Sequence, residues 1–221
     1  MKIYLATASL EQIRWGVSSG LIDGVVTSPA AIAEEAGDTE SREVLAEICA
    51  IAPFPVFASV ESVSGDDIYR DGRDLARLSD QMVVQIPIVE DAVTAMRRLN
   101  AEGVRVSASL VFNAAQALLA AKAGAAHVAM SIDQLSALGE VALDQVRMIR
   151  AVFDADAVEC DLLAMLPHDA AQFTECAMAG ADAVCVSQQV LRSLLLHPLT
   201  DRGLDRFLQE LSRRPKPRVP A

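Results

Sequence analysis

Glu61, Asp133 and His168 are the titratable side chains whose places in this sequence suit proton transfer. Glu61 and Asp133 each close an apolar run, at 55–61 and 127–133, and His168 follows a third run in Leu166-Pro167-His168-Asp169. Two carboxyl groups at one face can divide acid and base roles when their surroundings separate their pKa values, and imidazole titrates near neutrality. A plainer reading stays open. Glu61 and Asp133 would then cap helices or be solvated at a rim, and His168 would be exposed in the first turn of a helix. Ser28, Ser59, Ser109 and Ser131, together with Gln85, offer neutral hydrogen bonds to a polar small molecule. Gln85 sits in Met82-Val83-Val84-Gln85-Ile86-Pro87-Ile88. An amine at that place would form a Schiff base with a carbonyl substrate, and a carboxamide cannot.

Other chemistries lack their residues. The chain has three lysines: Lys2 opens the first apolar run, Lys122 lies in a helical stretch, and Lys216 lies in the tail. His127 and His197 lie away from the expected site, and three scattered histidines make no three-imidazole metal centre, so neither a metal nor a cofactor is expected. Cys49, Cys160, Cys176 and Cys185 show no CxxC spacing and read as reduced, buried thiols. There is no P-loop and no GxSxG elbow.

A formal charge of −11 repels polyphosphate, which argues against nucleic acid as a partner. The one basic cluster, Arg213-Arg214-Pro215-Lys216-Pro217-Arg218, reads as a solvated or partner-contacting terminus. No stretch approaches the roughly 20 apolar residues of a membrane span, and the sequence enters a strand without a signal-like segment. No membrane association and cytoplasmic residence are therefore expected.

The elements that must position these residues are short apolar strands alternating with amphipathic helices. Strands are predicted at 3–7, 24–28, 55–61, 82–88, 105–112, 127–133, 158–165 and 183–187. Between them, Ala92, Met96 and Leu99 share one helical face while Arg97 and Arg98 turn to water. Eight such units within 221 residues, with no GxGxxG turn, predict an α/β fold: a single (β/α)8 TIM barrel over 1–221. A C-terminal helix and tail follow at about 202–221, with Leu204, Phe207, Leu208 and Leu211 in a helical stripe. Strand alternation turns Ala6, Ser28, Ser59, Glu61, Gln85, Ser109, Ser131, Asp133, Cys185 and Ser187 inward. The lining is neutral and rich in hydroxyls, so phosphorylated ligands are expected to bind poorly.

Five motifs together resemble the small transaldolase family, within it the fructose-6-phosphate aldolase group. They are Ile3-Tyr4-Leu5-Ala6-Thr7, Gly24-Val25-Val26-Thr27-Ser28-Pro29, Phe57-Ala58-Ser59-Val60, Val83-Val84-Gln85-Ile86-Pro87 and Ala114-Ala115-Gln116-Ala117-Leu118-Leu119-Ala120. The resemblance covers nearly the whole chain and implies where the family's functional groups fall. It implies the Schiff-base lysine at Gln85, the acid/base aspartate at Ala6 and the asparagine of strand two at Ser28. The strand-three glutamine falls at Ser59, the strand-five threonine at Ser109 and the strand-six tyrosine at Ser131. The phosphate-binding arginine falls at Gln134 and a phosphate-binding serine at Leu166. Ser109 alone keeps equivalent chemistry. The resemblance further implies a homo-oligomer, a pentamer or decamer, in which the last helix packs on a neighbouring subunit; packing on its own barrel is the alternative.

Two functions are weighed. The first is a repurposed enzyme that binds or transforms a non-phosphorylated small molecule without an imine, as a lyase, cyclase or isomerase. The second is a non-catalytic ligand sensor or assembly partner.

Overall fold

The computed structural model describes residues 1–213, and the basic cluster beyond Arg213 lies outside them. The barrel is closed, with eight parallel strands in chain order. The first half comprises β1 (Lys2–Ala6), α1 (Leu10–Ser19), β2 (Gly24–Val26), α2 (Pro29–Ala36), α3 (Ser41–Ile51), β3 (Val56–Ser59), α4 (Gly65–Ala76) and β4 (Met82–Pro87). Next come α5 (Glu90–Ala101), β5 (Val106–Val111), α6 (Ala114–Lys122), β6 (His127–Ser131), α7 (Ile132–Ala137) and α8 (Ala142–Ala155). The chain ends with β7 (Asp161–Met165), α9 (Ala170–Met178), β8 (Ala183–Val186), α10 (Gln188–Ser193) and α11 (Pro198–Arg213). No helix among the described residues is long and apolar enough to cross a membrane.

Strand alternation divides the core in two. Leu5, Val25, Val84, Val128 and Val184 face the helices and join the large outer cluster. Tyr4, Val26, Phe57, Val83, Ala129, Leu163, Ala183 and Cys185 fill the bore. The Tyr4 and Phe57 rings lie 5.2 Å apart, and the His127 ring meets Phe57 edge-on at 5.0 Å. Below them, at the N-terminal face, Lys2 Nζ donates to Asp161 at 2.9 Å, and Arg150 pairs with Asp182 at 3.0 Å.

Local chemistry fixes the strand-to-helix turns at the opposite face. Asn113 Oδ1 accepts from the Gln116 N–H at 2.9 Å, while Gln116 Oε1 accepts from the Phe112 N–H at 2.9 Å. Asp169 and Gln172 repeat this reciprocal cap ahead of α9, with the N–H of His168 donating to Gln172 Oε1 at 2.8 Å. Each cap satisfies one amide of the first helical turn and the amide of the residue just before the N-cap.

Several strands end earlier than the apolar runs suggest. Ser28 and Ser187 keep extended φ/ψ but serve as N-caps of α2 and α10, accepting from the Ala31 and Val190 amides at 3.2 Å each. Asp133 lies in the first turn of α7 rather than at the end of β6. Glu61 lies in the bend two residues past β3. His168 precedes the N-cap Asp169 instead of occupying a helical turn.

Candidate functional site

The C-terminal ends of β3 to β6 carry a polar arc. Ser59, at the end of β3, pairs in register with Gln85 on β4, and Gln85 pairs with Ser107 on β5. The Ser59 hydroxyl donates to Gln85 Oε1 at 3.4 Å. Gln85 is only 4% exposed, so its amide is held inside the barrel. Ser109 shares the parity of Ser107 one step higher, and Ser131 closes β6 half-buried. Across the mouth the lining is apolar: Ala6 and Met165 pack on the bore cluster beside Cys185. The cup thus has one hydrogen-bonding wall and one hydrocarbon wall.

No described lysine reaches this cup. Lys2 is committed to Asp161 at the opposite end, and Lys122 is exposed at the C-terminal end of α6. Lys216 lies outside the described residues.

The proposed acid/base groups stand around the rim and are not joined to one another. Glu61 and His168 are exposed; Asp133 is half-buried, with Oδ1 shielded from solvent and without a hydrogen-bond partner among the described residues. Ser28 is exposed, and its hydroxyl is engaged at the α2 cap. Among the described residues no group of His, Cys, Asp and Glu converges as a metal-ligand set.

Burial sets the ionisation of the bore. It pushes the Cys185 thiol far up, which keeps that sulfur protonated and a poor nucleophile. It also lowers His127 to about 4, against an opposing pull from Asp161, so this imidazole is neutral at pH 7.

Three features of the mouth were not singled out in the sequence. Ser107 is fully buried with its hydroxyl unpartnered, and strand parity alone could have found it. Leu110, within β5, and Leu166, just past β7, adopt φ of 56° and 59°, the left-handed region that leucine rarely enters. Leu110 sits where the β5–β6 register shifts between Ala108 and Val111, a bulge that re-aims the rim. A leucine in a strand-like run carries no signal for that conformation.

The fold is shared with N-acetylmannosamine-6-phosphate 2-epimerase from Clostridium perfringens at a TM-score of 0.58, 9% identity and 93% coverage of each chain. Sequence relatives are closer. A probable transaldolase of Petrotoga mobilis is 37% identical over 95% of this chain and 94% of the relative. One from Herpetosiphon aurantiacus is 38% identical over 94% and 93%, and one from Caulobacter vibrioides 38% over 95% and 96%. The signature of the Transaldolase/Fructose-6-phosphate aldolase family matches residues 3–215. A closed eight-stranded barrel, a collinear match over almost its full length and relatives of equal extent lead to one conclusion: the chain belongs to the transaldolase/fructose-6-phosphate aldolase family.

Proposed function

We propose that this family member has left Schiff-base aldol chemistry and binds or transforms a non-phosphorylated small molecule in the barrel mouth. The observation that carries this reading is Gln85. A carboxamide, buried and hydrogen-bonded to Ser59, occupies the β4 position where the family resemblance puts an imine-forming amine. An amide nitrogen is not basic and cannot add to a carbonyl to give an iminium ion. The relatives' name, probable transaldolase, is thus carried over here for the barrel and not for the reaction.

The two walls of the cup favour a small ligand with hydroxyl or carbonyl groups on one edge. Ser59, Gln85, Ser109 and Ser131 bind that edge, and Ala6 and Met165 take the hydrocarbon edge. Glu61 and Asp133 supply acid/base help, with His168 reaching the same rim. Such help contributes about 10²–10⁴-fold, enough for an isomerisation, cyclisation or elimination of an activated substrate. The protein is cytoplasmic in this reading, with its thiols reduced.

The exposed face of α11 supports self-association. Leu204, Phe207 and Leu208 are each more than half exposed, and Leu211 continues the stripe. A second copy of the chain is the proposed cover for it.

A non-catalytic role as ligand sensor or assembly partner is the second reading. It is favoured by Glu61 and His168 being exposed and sharing no hydrogen bond with Asp133.

Borohydride reduction of the native protein with dihydroxyacetone or fructose 6-phosphate tests the main reading. Intact mass should be unchanged; a stable adduct on the chain refutes it. A panel of non-phosphorylated hydroxycarbonyl compounds then separates the alternatives. Saturable turnover lost in Glu61→Gln, Asp133→Asn or His168→Ala supports the enzyme, and turnover unaffected by all three removes these residues from the mechanism.

A further inference from the structure

A lateral cleft of about 390 Å³ opens beside the mouth, between β3, α2, α3 and α4. Small-molecule sites span roughly 300–1,000 Å³, so its size suits a compact organic ligand. Its floor is apolar: Ile32, Leu45 and Val60 are buried there, with Leu75 partly so. Ser59 lines it as well, and the same hydroxyl donates to Gln85. The cleft and the mouth therefore share a wall residue.

The polar side of the cleft is strongly one-signed. Glu40, Glu61, Asp71 and Asp74 line it against one guanidinium, Arg42. Arg42 lies 3.6 Å from Asp74, which also meets Arg77 at 3.1 Å. Glu40, Glu61 and Asp71 have no ion-pair partner among the described residues. Burying a carboxylate- or phosphate-bearing ligand here would set like charges together. A cation carried on a hydrocarbon body meets complementary potential above and apolar surface below.

We infer that this cleft is a binding site for a small organic amine, its body on the Ile32–Leu45–Val60 floor and its ammonium toward Glu61 and Asp71. The cavity with its apolar floor makes the site, and the carboxylates set the ligand class. The assignment stands whether or not the mouth catalyses a reaction, because it is read by binding alone.

Three probes of one shape decide it: cyclohexylamine, cyclohexanol and cyclohexanecarboxylate, titrated into the full-length native protein at pH 7 and low salt. Backbone amide NMR reports where each binds. Each exposed ion pair contributes roughly 1.5- to 5-fold, so two of them predict about a tenfold preference for the amine over the alcohol. The amine should saturate with shifts confined to residues 29–32, 40–45, 59–61 and 71–75, and the carboxylate should not bind there. Raising salt to about 0.5 M should erase most of the preference by screening. The double variant E61Q/D71N should bind amine and alcohol within about threefold of each other. An amine no tighter than the alcohol, or shifts centred elsewhere, overturns the assignment on the native protein without any variant. So does a preference that survives in E61Q/D71N.

Discussion

Replacing Gln85 by lysine tests both the placement of this residue and the chemistry assigned to its absence. The site is only 4% exposed, and its register neighbours, Ser59 and Ser107, carry no charge. An ammonium there loses its water without gaining a carboxylate, so the folded state holds the lysine pKa down. A depression of about 3 units is the lower end of what full burial produces, and it corresponds to about 4 kcal/mol of lost stability at pH 7. The sign follows from proton binding. Between the lowered pKa and the ordinary value of about 10.4 the unfolded chain holds a proton that the folded chain has shed, so stability recovers as pH rises. Urea unfolding of Q85K against the native protein should show a deficit of about 4 kcal/mol at pH 7 that shrinks to about 1 kcal/mol at pH 9.5. The neutral amine should also allow borohydride trapping of dihydroxyacetone on Q85K. Turnover of fructose 6-phosphate should stay poor, because Ala6, Ser131 and Gln134 still supply no aspartate, tyrosine or arginine. A deficit that does not change with pH, or robust aldol turnover by Q85K, would refute this account.

His127 gives a second pH effect of the same sign, in a lower pH window. Its folded value of about 4 lies below the ordinary 6.5, so stability present above pH 6.5 is lost as pH falls toward 4. Compared with His127→Gln, the native protein should lose about 3 kcal/mol more between pH 7 and pH 4, read by denaturant unfolding. Gly65→Ala should cost about 1–3 kcal/mol, since its Cβ would stand 2.8 Å from the Asp91 carbonyl oxygen, an atom of the backbone. Gly139→Ala meets no atom within 4 Å and has φ of +79°, so it should cost only the left-handed penalty of about 1 kcal/mol. Leu204→Glu with Leu208→Glu should dissociate the native assembly in size-exclusion chromatography with light scattering. A native protein that is already monomeric would contradict the role given to α11.

The barrel was legible in the sequence because its signals are local and repeated. Each strand run, and the helix carrying Ala92, Met96 and Leu99, falls close to its observed place, and alternation along β3, β4 and β6 turns Ser59, Gln85 and Ser131 toward the mouth. Alternation failed where the ladder stops. Ser28 and Ser187 keep the extended φ/ψ of a strand but spend their oxygens on helix amides, and Asp133 has already begun to wind. The rule is about pleats, and it carries no information past the last ladder hydrogen bond. Leu110 and the lateral cleft were out of reach for a different reason. One depends on a register shift between strands, the other on how α2, α3 and α4 lean together, and neither is a property of a single segment.

The paired rings of Tyr4 and Phe57 give the barrel a solid floor, with consequences for how its ligand repertoire can change. Deepening the cup to admit a larger guest would mean trimming one of those rings, and excavating a packed aromatic typically forfeits about 3–5 kcal/mol. Widening at the brim removes no such anchor. Drift in specificity should therefore be recorded in the loops above β3, β5 and β7, while the two rings beneath persist through it.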